Sequence, residues 1–464
     1  IKKYLHDTYC KSIGSEYMFI RIPEKIKWLQ ERIEKNRNQT NFSVEEKKNI
    51  LLHLLHAVRF EKFIHKKYTG QKRFSLEGTE ALVPALNELI DYGAELGVNE
   101  FTFSMSHRGR LNILGNVIEK PYERIFKEFE GEEYEESIEL GDVKYHLGYS
   151  NTIKTRNKKN VDLNLTPNPS HLESATPVIQ GLSRARIDHH HKGDYNRLVP
   201  VIIHGDAAIA GQGVVYEVIQ MSELNGYKTG GSIHLVINNQ VGFTTNYLDG
   251  RSSTYCTDIG KVTKSPIFHV NGDDVEALVH TMRIAIEYRQ VFHTDVFIDI
   301  LSYRKYGHNE GDEPRFTQPL LYKKIADHPD PGKIYSDKLI REGIFTSEEI
   351  DALNNDFDQT LENKLSQARK LKKVVIPQFM KKEWKKFKYG EPEYYEKFPE
   401  TGVPQKILKE LAVKINTVPD DKKFFRKILK LLQDRIQMVE SGQVDWAIAE
   451  LLSYATLLNE RHPV

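Results

Sequence analysis

An aspartate and an asparagine, joined by a strand–helix–strand pattern, offer the most definite chemistry in this sequence. Residues 204–245 read HGDAAIAGQGVVYEVIQMSELNGYKTGGSIHLVINNQVGFTT. The Asp206 carboxylate, the Asn239 side-chain carbonyl and a nearby backbone carbonyl are hard oxygen donors, suited to Mg²⁺ or Ca²⁺ rather than zinc. Ala207, Ala208 and the glycines around them let a diphosphate approach the backbone and the N-terminus of the following helix. Three histidines accompany the pair. His107 stands beside Arg108 in SHRGR, where a strand gives way to a turn, well placed to meet an anion. His146 lies between Gly141 and Gly148, which let the backbone turn it inward. His308, held by Gly307, is a candidate for diphosphate binding or proton transfer.

The elements that must position these residues read as an α/β fold. LVPVIIH before Gly205 and IHLVINN up to Asn239 have the Val/Ile content of buried strands. A small-residue turn at 205–213 and a helix at 214–224 connect them. Such a unit is right-handed and brings both strand C-termini to one edge of a parallel sheet. Asp206 and Asn239 therefore emerge side by side, at the edge where open α/β sheets bind ligands. Residues 101–105, 266–270 and 295–303 read as further strands, and 275–292 as a helix. Residues 1–92 read as mostly helical, with amphipathic stretches at 25–36 and 44–67 and an N-cap at Ser43. Ser170 in PNPSHLE also suits a helix N-cap. The acidic run 128–139 and the polar run 151–160 read as loops. So does Asp188-His189-His190-His191-Lys192, which lacks further ligands at fixed spacing and is expected to be solvent-exposed. Glu310, Asp312 and Glu313 are expected to fix the loop around His308 rather than bind metal. Residues 333–371, 404–416 and 422–441 read as helices, and the basic–aromatic stretch 379–398 as a connection.

Composition excludes several classes. At 464 residues the chain exceeds what one hydrophobic core normally supports. A net charge of +1 points neither to nucleic acid nor to an anionic membrane. Two cysteines, Cys10 and Cys256, give no disulfide framework and suit a reducing compartment. No run reaches the roughly 18 apolar residues of a spanning helix, and no secretory-signal pattern is present. Gly211-Gln212-Gly213 lacks the third glycine of a dinucleotide fingerprint, which argues against a nicotinamide cofactor.

The words SHRGRLN, GDVKYHLG, NPSHLE, HGDAAIAGQG, VINNQVGFTT, IFHVNGDD and YGHNEGDEPRFTQPLLY stand in this order. Together they resemble the E1 components of 2-oxoglutarate dehydrogenases, thiamin-diphosphate enzymes of the transketolase-like superfamily. The likeness runs from about Phe74 to about Lys338 and resumes near Trp446. It implies the thiamin-diphosphate-binding fold, a parallel sheet with helices on both faces, preceded and followed by helical segments. It divides the chain into an N-terminal helical region (1–95), a diphosphate-binding domain (96–325), a helical connection (326–440) and the start of a pyrimidine-binding domain (441–464).

The resemblance also implies roles. Asp206, Asn239 and the Val241 backbone carbonyl would hold Mg²⁺. Arg108, Ser170, Leu172, Ala207, Ala208 and His308 would border thiamin diphosphate. Arg108, His107, His146 and Ser170 would meet the oxo acid, with His107, His146 and His308 catalytic. The implied reaction is oxidative decarboxylation of 2-oxoglutarate in the tricarboxylic acid cycle. Its succinyl group would pass to the lipoyl arm of the E2 dihydrolipoyl succinyltransferase, in a complex with E3. A 2-oxoadipate dehydrogenase E1 and a non-catalytic scaffold of the same fold are the alternatives. The family's glutamate against the aminopyrimidine lies beyond Val464 and usually comes from the partner protomer of a homodimer. Residues 1–464 alone are therefore expected to hold the diphosphate half of the site and turn nothing over. The expected location is a bacterial cytoplasm or a mitochondrial matrix, with no nucleic-acid or membrane partner.

Overall fold

Eight extended segments hydrogen-bond into one sheet: β1 (Ile13–Glu16), β2 (Glu100–Met105), β3 (Tyr149–Lys154), β4 (Asn160–Leu165), β5 (Leu198–Gly205), β6 (Ile233–Asn238), β7 (Ile267–Asn271) and β8 (Val296–Leu301). Their order is β1-β7-β8-β6-β5-β2-β4-β3. The inner six run parallel, and β1 and β3 close the edges antiparallel. The computed structural model describes residues 1–130, 144–373, 379–387, 390, 392–396, 400–462 and 464. The acidic run past Glu130, residues 141–143 of GDVKYHLG and parts of the 379–398 connection lie outside them.

Helices cover both faces because the inner strands are apolar on both. In the first part of the chain these are α1 (Lys2–Tyr9), α2 (Pro23–Glu34), α3 (Val44–Lys67), α4 (Leu82–Glu95), α5 (Arg110–Asn116), α6 (Tyr122–Glu130) and α7 (Ala175–His190). Then follow α8 (Asp206–Gly211), α9 (Gly213–Met221), α10 (Val275–Phe292), α11 (Pro331–Arg341) and α12 (Ser347–Lys370). Along β6, Ile233, Leu235 and Ile237 join a cluster that includes Leu82, Leu278 and Met282 from α4 and α10. Val236 points the other way, to Ile209, Val215 and Ile219 of α8 and α9. Alternation with both sides buried is what a parallel sheet between two helical layers requires.

By contacts the chain separates into two units, residues 1–384 and 385–464, a division that falls inside the expected 326–440 connection. The second unit is helical: α13 (Gln405–Asn416), α14 (Arg426–Ser441) and α15 (Trp446–Asn459) bury Leu411, Val439, Ile448 and Leu452 against one another.

Helix α3 begins on the expected cap. Glu46 N donates to Ser43 Oγ (3.2 Å) and Ser43 N donates to Glu46 Oε2 (2.8 Å), a reciprocal box worth about 1 kcal/mol. Elsewhere the structure corrects the sequence. The region 1–92 is mostly helical as expected, with one short strand, β1, that pairs with β7. The expected loop 151–160 is a hairpin, β3 against β4, in which β3 is polar because it closes the sheet edge. The turn after Gly205 is itself helical, α8. Asp188 to His190 finish α7 rather than form a loop, and His191 Nε2 lies 3.0 Å from Glu100 Oε2. Ser174, not Ser170, occupies the N-cap position of α7. Glu128 belongs to α6, buried, with Lys120 Nζ donating to its Oε1 at 2.5 Å.

Candidate active site

Strands β5 and β6 pair in parallel from Val201↔Ile233 to Gly205↔Ile237. Asp206 and Asn239 thus leave the sheet at one edge, and both line one cavity there. The loop after β2 adds Ser106, His107 and Arg108, and the loop after β8 adds Arg304 and His308. Leu172, Ala207, Ala208, Val241, Phe243 and Phe74 complete the wall. The two central loops touch: a Cβ on Gly242 would stand 2.6 Å from the Ala207 Cβ. Only a side chain no larger than hydrogen fits there without displacing α8.

The cavity is electropositive. Arg108 donates to Ser75 O (3.0 Å) and His308 O (2.8 Å). Arg304 donates to Tyr306 O (3.1 Å), the Tyr322 hydroxyl (2.9 Å) and Phe243 O (3.0 Å). Neither guanidinium has a carboxylate within ion-pair distance among the described residues. Burial and the charge of Arg304 bring Arg108 down to about 10. His107 is lowered to about 4, by burial first and then by His146, Arg110, His308 and Arg108. His308 is lowered to about 4 by burial, Arg108 and Arg304. Both rings are therefore neutral near pH 7, and His107 Nε2 is covered and has no partner among the described residues.

Asp206 fits a cation. It is 3% exposed, and burial raises its carboxyl pKa against the opposing charge of Arg251. Arg251 Nη1 donates a long hydrogen bond to Asp206 Oδ2 at 3.5 Å. Asn239 Oδ1 accepts from Val241 N at 3.3 Å, which leaves the oxygen a second lone pair. Among the described residues no group of three or more His, Cys, Asp or Glu side chains is arranged to hold a metal ion. A cation here would take oxygens from Asp206, Asn239 and Val241 and complete its shell with ligand oxygens and water, as Mg²⁺ does. Two guanidiniums lacking carboxylates fit the diphosphate that would supply those oxygens.

Nine of the eleven sequence candidates line this cavity: His107, Arg108, Leu172, Asp206, Ala207, Ala208, Asn239, Val241 and His308. His146 and Ser170 do not line it. The His146 ring lies 4.9 Å from that of His107, and Ser170 Oγ is 3.4 Å from His146 Nε2, so these two extend the site from behind His107. Arg304, Phe74 and Phe243 are wall residues that motif reading leaves without a role. The signal for Arg304 was its place, just past β8 at the ligand edge.

A buried ion cluster holds the wall. Arg73 contacts Glu61, Glu77 (3.1 Å) and Glu310 (3.8 Å). Glu310 also accepts from the backbone N–H groups of Arg73, Phe74 and Ser75 at 2.7–3.1 Å, the loop-fixing role expected of it. Phe74, at φ 51°, is thereby fixed against His107 and His308. A larger cavity, about 610 Å³, lies elsewhere, lined in part by Lys11, Lys47 and Lys338. Each of these lysines has a carboxylate within 4 Å.

Residues 53–376 match the family model described as the dehydrogenase E1 component. The chain is 43% identical over 472 residues to the 2-oxoglutarate dehydrogenase E1 component of Brucella melitensis biotype 2, covering 99% of this chain and 47% of the relative. The corresponding protein of Brucella anthropi is 44% identical over 472 residues, with the same coverage. The chain thus spans about half the length of the curated relatives it matches. Among the described residues no helix is long and apolar enough to cross a membrane.

Proposed function

Because this chain belongs to the dehydrogenase E1 component family, we propose that it binds thiamin diphosphate through Mg²⁺ and serves as the E1 component of a 2-oxoglutarate dehydrogenase. The reaction is oxidative decarboxylation of 2-oxoglutarate, with succinyl transfer to the lipoyl group of an E2 partner in a complex that includes E3. One observation carries this reading: Asp206 and Asn239 share a cavity with two arginines that have no carboxylate partner among the described residues. When bound, thiamin diphosphate supplies a nucleophilic carbon and an electron sink for loss of CO₂ from a 2-oxo acid.

The chain's own residues divide the remaining tasks. Asp206, Asn239 and the Val241 carbonyl hold the cation. Arg108, Arg304 and His308 meet the diphosphate, beside the small side chains of Ala207 and Ala208. Neutral His107, whose Nε2 has no partner among the described residues, offers the oxo acid a hydrogen bond, and His146 and Ser170 extend that pocket toward its far carboxylate. Buried Phe74 excludes water from its side of the site, which strengthens the polar contacts there, while Leu172 and Phe243 form its exposed rim. A second protomer completes the site, in a cytoplasm or mitochondrial matrix.

Calorimetric titration of thiamin diphosphate, with and without Mg²⁺, tests the assignment. Binding is expected to require Mg²⁺ and to weaken at least about 100-fold in Asp206→Ala, roughly 2.8 kcal/mol. Mg²⁺-independent binding, or a variant that binds as well as the wild type, overturns it.

A further inference from the structure

Asn238, next to the candidate cation ligand Asn239, owes its orientation to residues far from the cavity. Its Nδ2 donates to Asp299 Oδ1 at 2.9 Å, so its Oδ1 faces the turn and accepts from Gln240 N at 3.3 Å. An ionised carboxylate can only accept. Asp299 therefore decides which way the Asn238 amide is flipped, and with it how the turn closes over Gln240, which sits at φ 66°. Gln240 Nε2 donates to Ser302 O at 2.8 Å, tying the same turn to the end of β8.

Asp299 is 2% exposed in the middle of β8, and a buried carboxylate left half-paired is unfavourable. Its other oxygen is satisfied by His269 Nδ1 at 2.8 Å, across the β7–β8 pairing. His269 Nε2 in turn meets Glu16 Oε1 at 2.8 Å, across the β1–β7 pairing. Tyr255 packs on the His269 ring at 3.9 Å, and Lys261 Nζ holds the second oxygen of Glu16 at 2.7 Å. Three bonds of ordinary length thus connect the edge strand β1 to the turn that carries Asn239.

We propose that Glu16, His269 and Asp299 are positioning residues, which hold the 238–241 turn in the shape that presents Asn239 and Val241 to the cation. The proposal rests on the cofactor reading above for its consequence, but its mechanism is a property of the ligand-free chain. Outer partners of metal ligands set ligand orientation, and losing one typically weakens metal binding by about tenfold or more.

Two readouts test it. In His269→Ala, hydrogen exchange at the Gln240 and Val241 amides of the ligand-free chain is expected to speed up. The Mg²⁺ concentration for half-maximal thiamin diphosphate binding is expected to rise about tenfold. Glu16→Ala, at the partly exposed sheet edge, should move both in the same direction by a smaller factor. It decides the matter if His269→Ala does not fold. Glu16→Gln keeps an acceptor for His269 and should restore both readouts. A purely structural role would lower the melting temperature without changing exchange at 240–241 or the Mg²⁺ requirement. Folded variants with wild-type exchange overturn the inference whatever the wild type binds. A wild type that binds the cofactor without Mg²⁺ overturns the cofactor reading instead, while the exchange comparison still judges the support.

Discussion

Arg73 lies in the segment 73–77 and Arg108 donates to its Ser75 carbonyl, yet the two guanidiniums are met in opposite ways. Arg73 is buried against three carboxylates, Glu61, Glu77 and Glu310. Arg108, half-buried, and buried Arg304 near it are set against carbonyls and one phenol. Burying a guanidinium is unfavourable unless its charge is met. Around Arg73 the fold meets it; around Arg108 and Arg304 the fold leaves it for something else. Unmet charge, rather than cavity size, separates the two regions, since the 610 Å³ cavity elsewhere is lined by lysines that already have their partners.

The contrast breaks most easily at Arg73. Arg73→Leu leaves three buried carboxylates facing one another and should cost about 3–5 kcal/mol of folding stability. Urea denaturation would read this as a lower midpoint at unchanged slope. A loss within the roughly 0.5 kcal/mol of an ordinary surface change would mean the cluster is not what holds the wall. Arg304→Met should behave the other way. Folding stability is expected to be unchanged or higher, because a buried unmet charge is removed. Inorganic pyrophosphate binding should weaken about tenfold, matching the roughly 1.5 kcal/mol of one charged hydrogen bond. Equal stability losses in the two variants would erase the distinction.

The same contrast explains what the sequence could and could not convey. The β5–α9–β6 unit was legible because both strands are long apolar runs and the ligands follow them directly. Helix α3 was legible from its periodicity and its Ser43 cap. β1, with the sequence IGSE, and the hairpin of β3 and β4 were not. β1 and β3 lie at the sheet edges and keep polar positions, and β4 is placed by its pairing with distant β2 rather than by local pattern. Helix α8 hid among glycines and alanines that suit a turn equally well. Arg304 was visible as a residue at a strand end, but its role depends on having no carboxylate nearby, which only the fold reveals. The distinction between Ser170 and Ser174 as the cap of α7 turned on where the chain first adopts helical geometry, four residues later than PNPS suggests.

The smallest expected effect concerns protons, and it sharpens the comparison between the cavity and its support. His107 and His308 are lowered to about 4 by burial and then by surrounding positive charge. For His269 burial also pulls downward, but the hydrogen bonds and charges of Asp299 and Glu16 outweigh it and raise the pKa above the ordinary 6.5. Opposite shifts require opposite pH responses. Between about pH 6.5 and 4 the unfolded chain takes up protons that folded His107 and His308 refuse, so stability falls as the pH drops through that window. The stabilisation from His269 is fully present below 6.5 and is lost as the pH rises through its raised folded value. His308→Gln should therefore flatten the acid limb of the stability profile, and His269→Gln the alkaline limb, each measured as urea midpoints across the range. The cavity rings are only half-buried, so each slope should stay well below the roughly 1.4 kcal/mol per pH unit of a fully shielded group. Bound pyrophosphate would favour the His308 imidazolium and remove its share of the acid limb. An acid limb unchanged by both the substitution and the anion would confine the unmet charge to the two arginines.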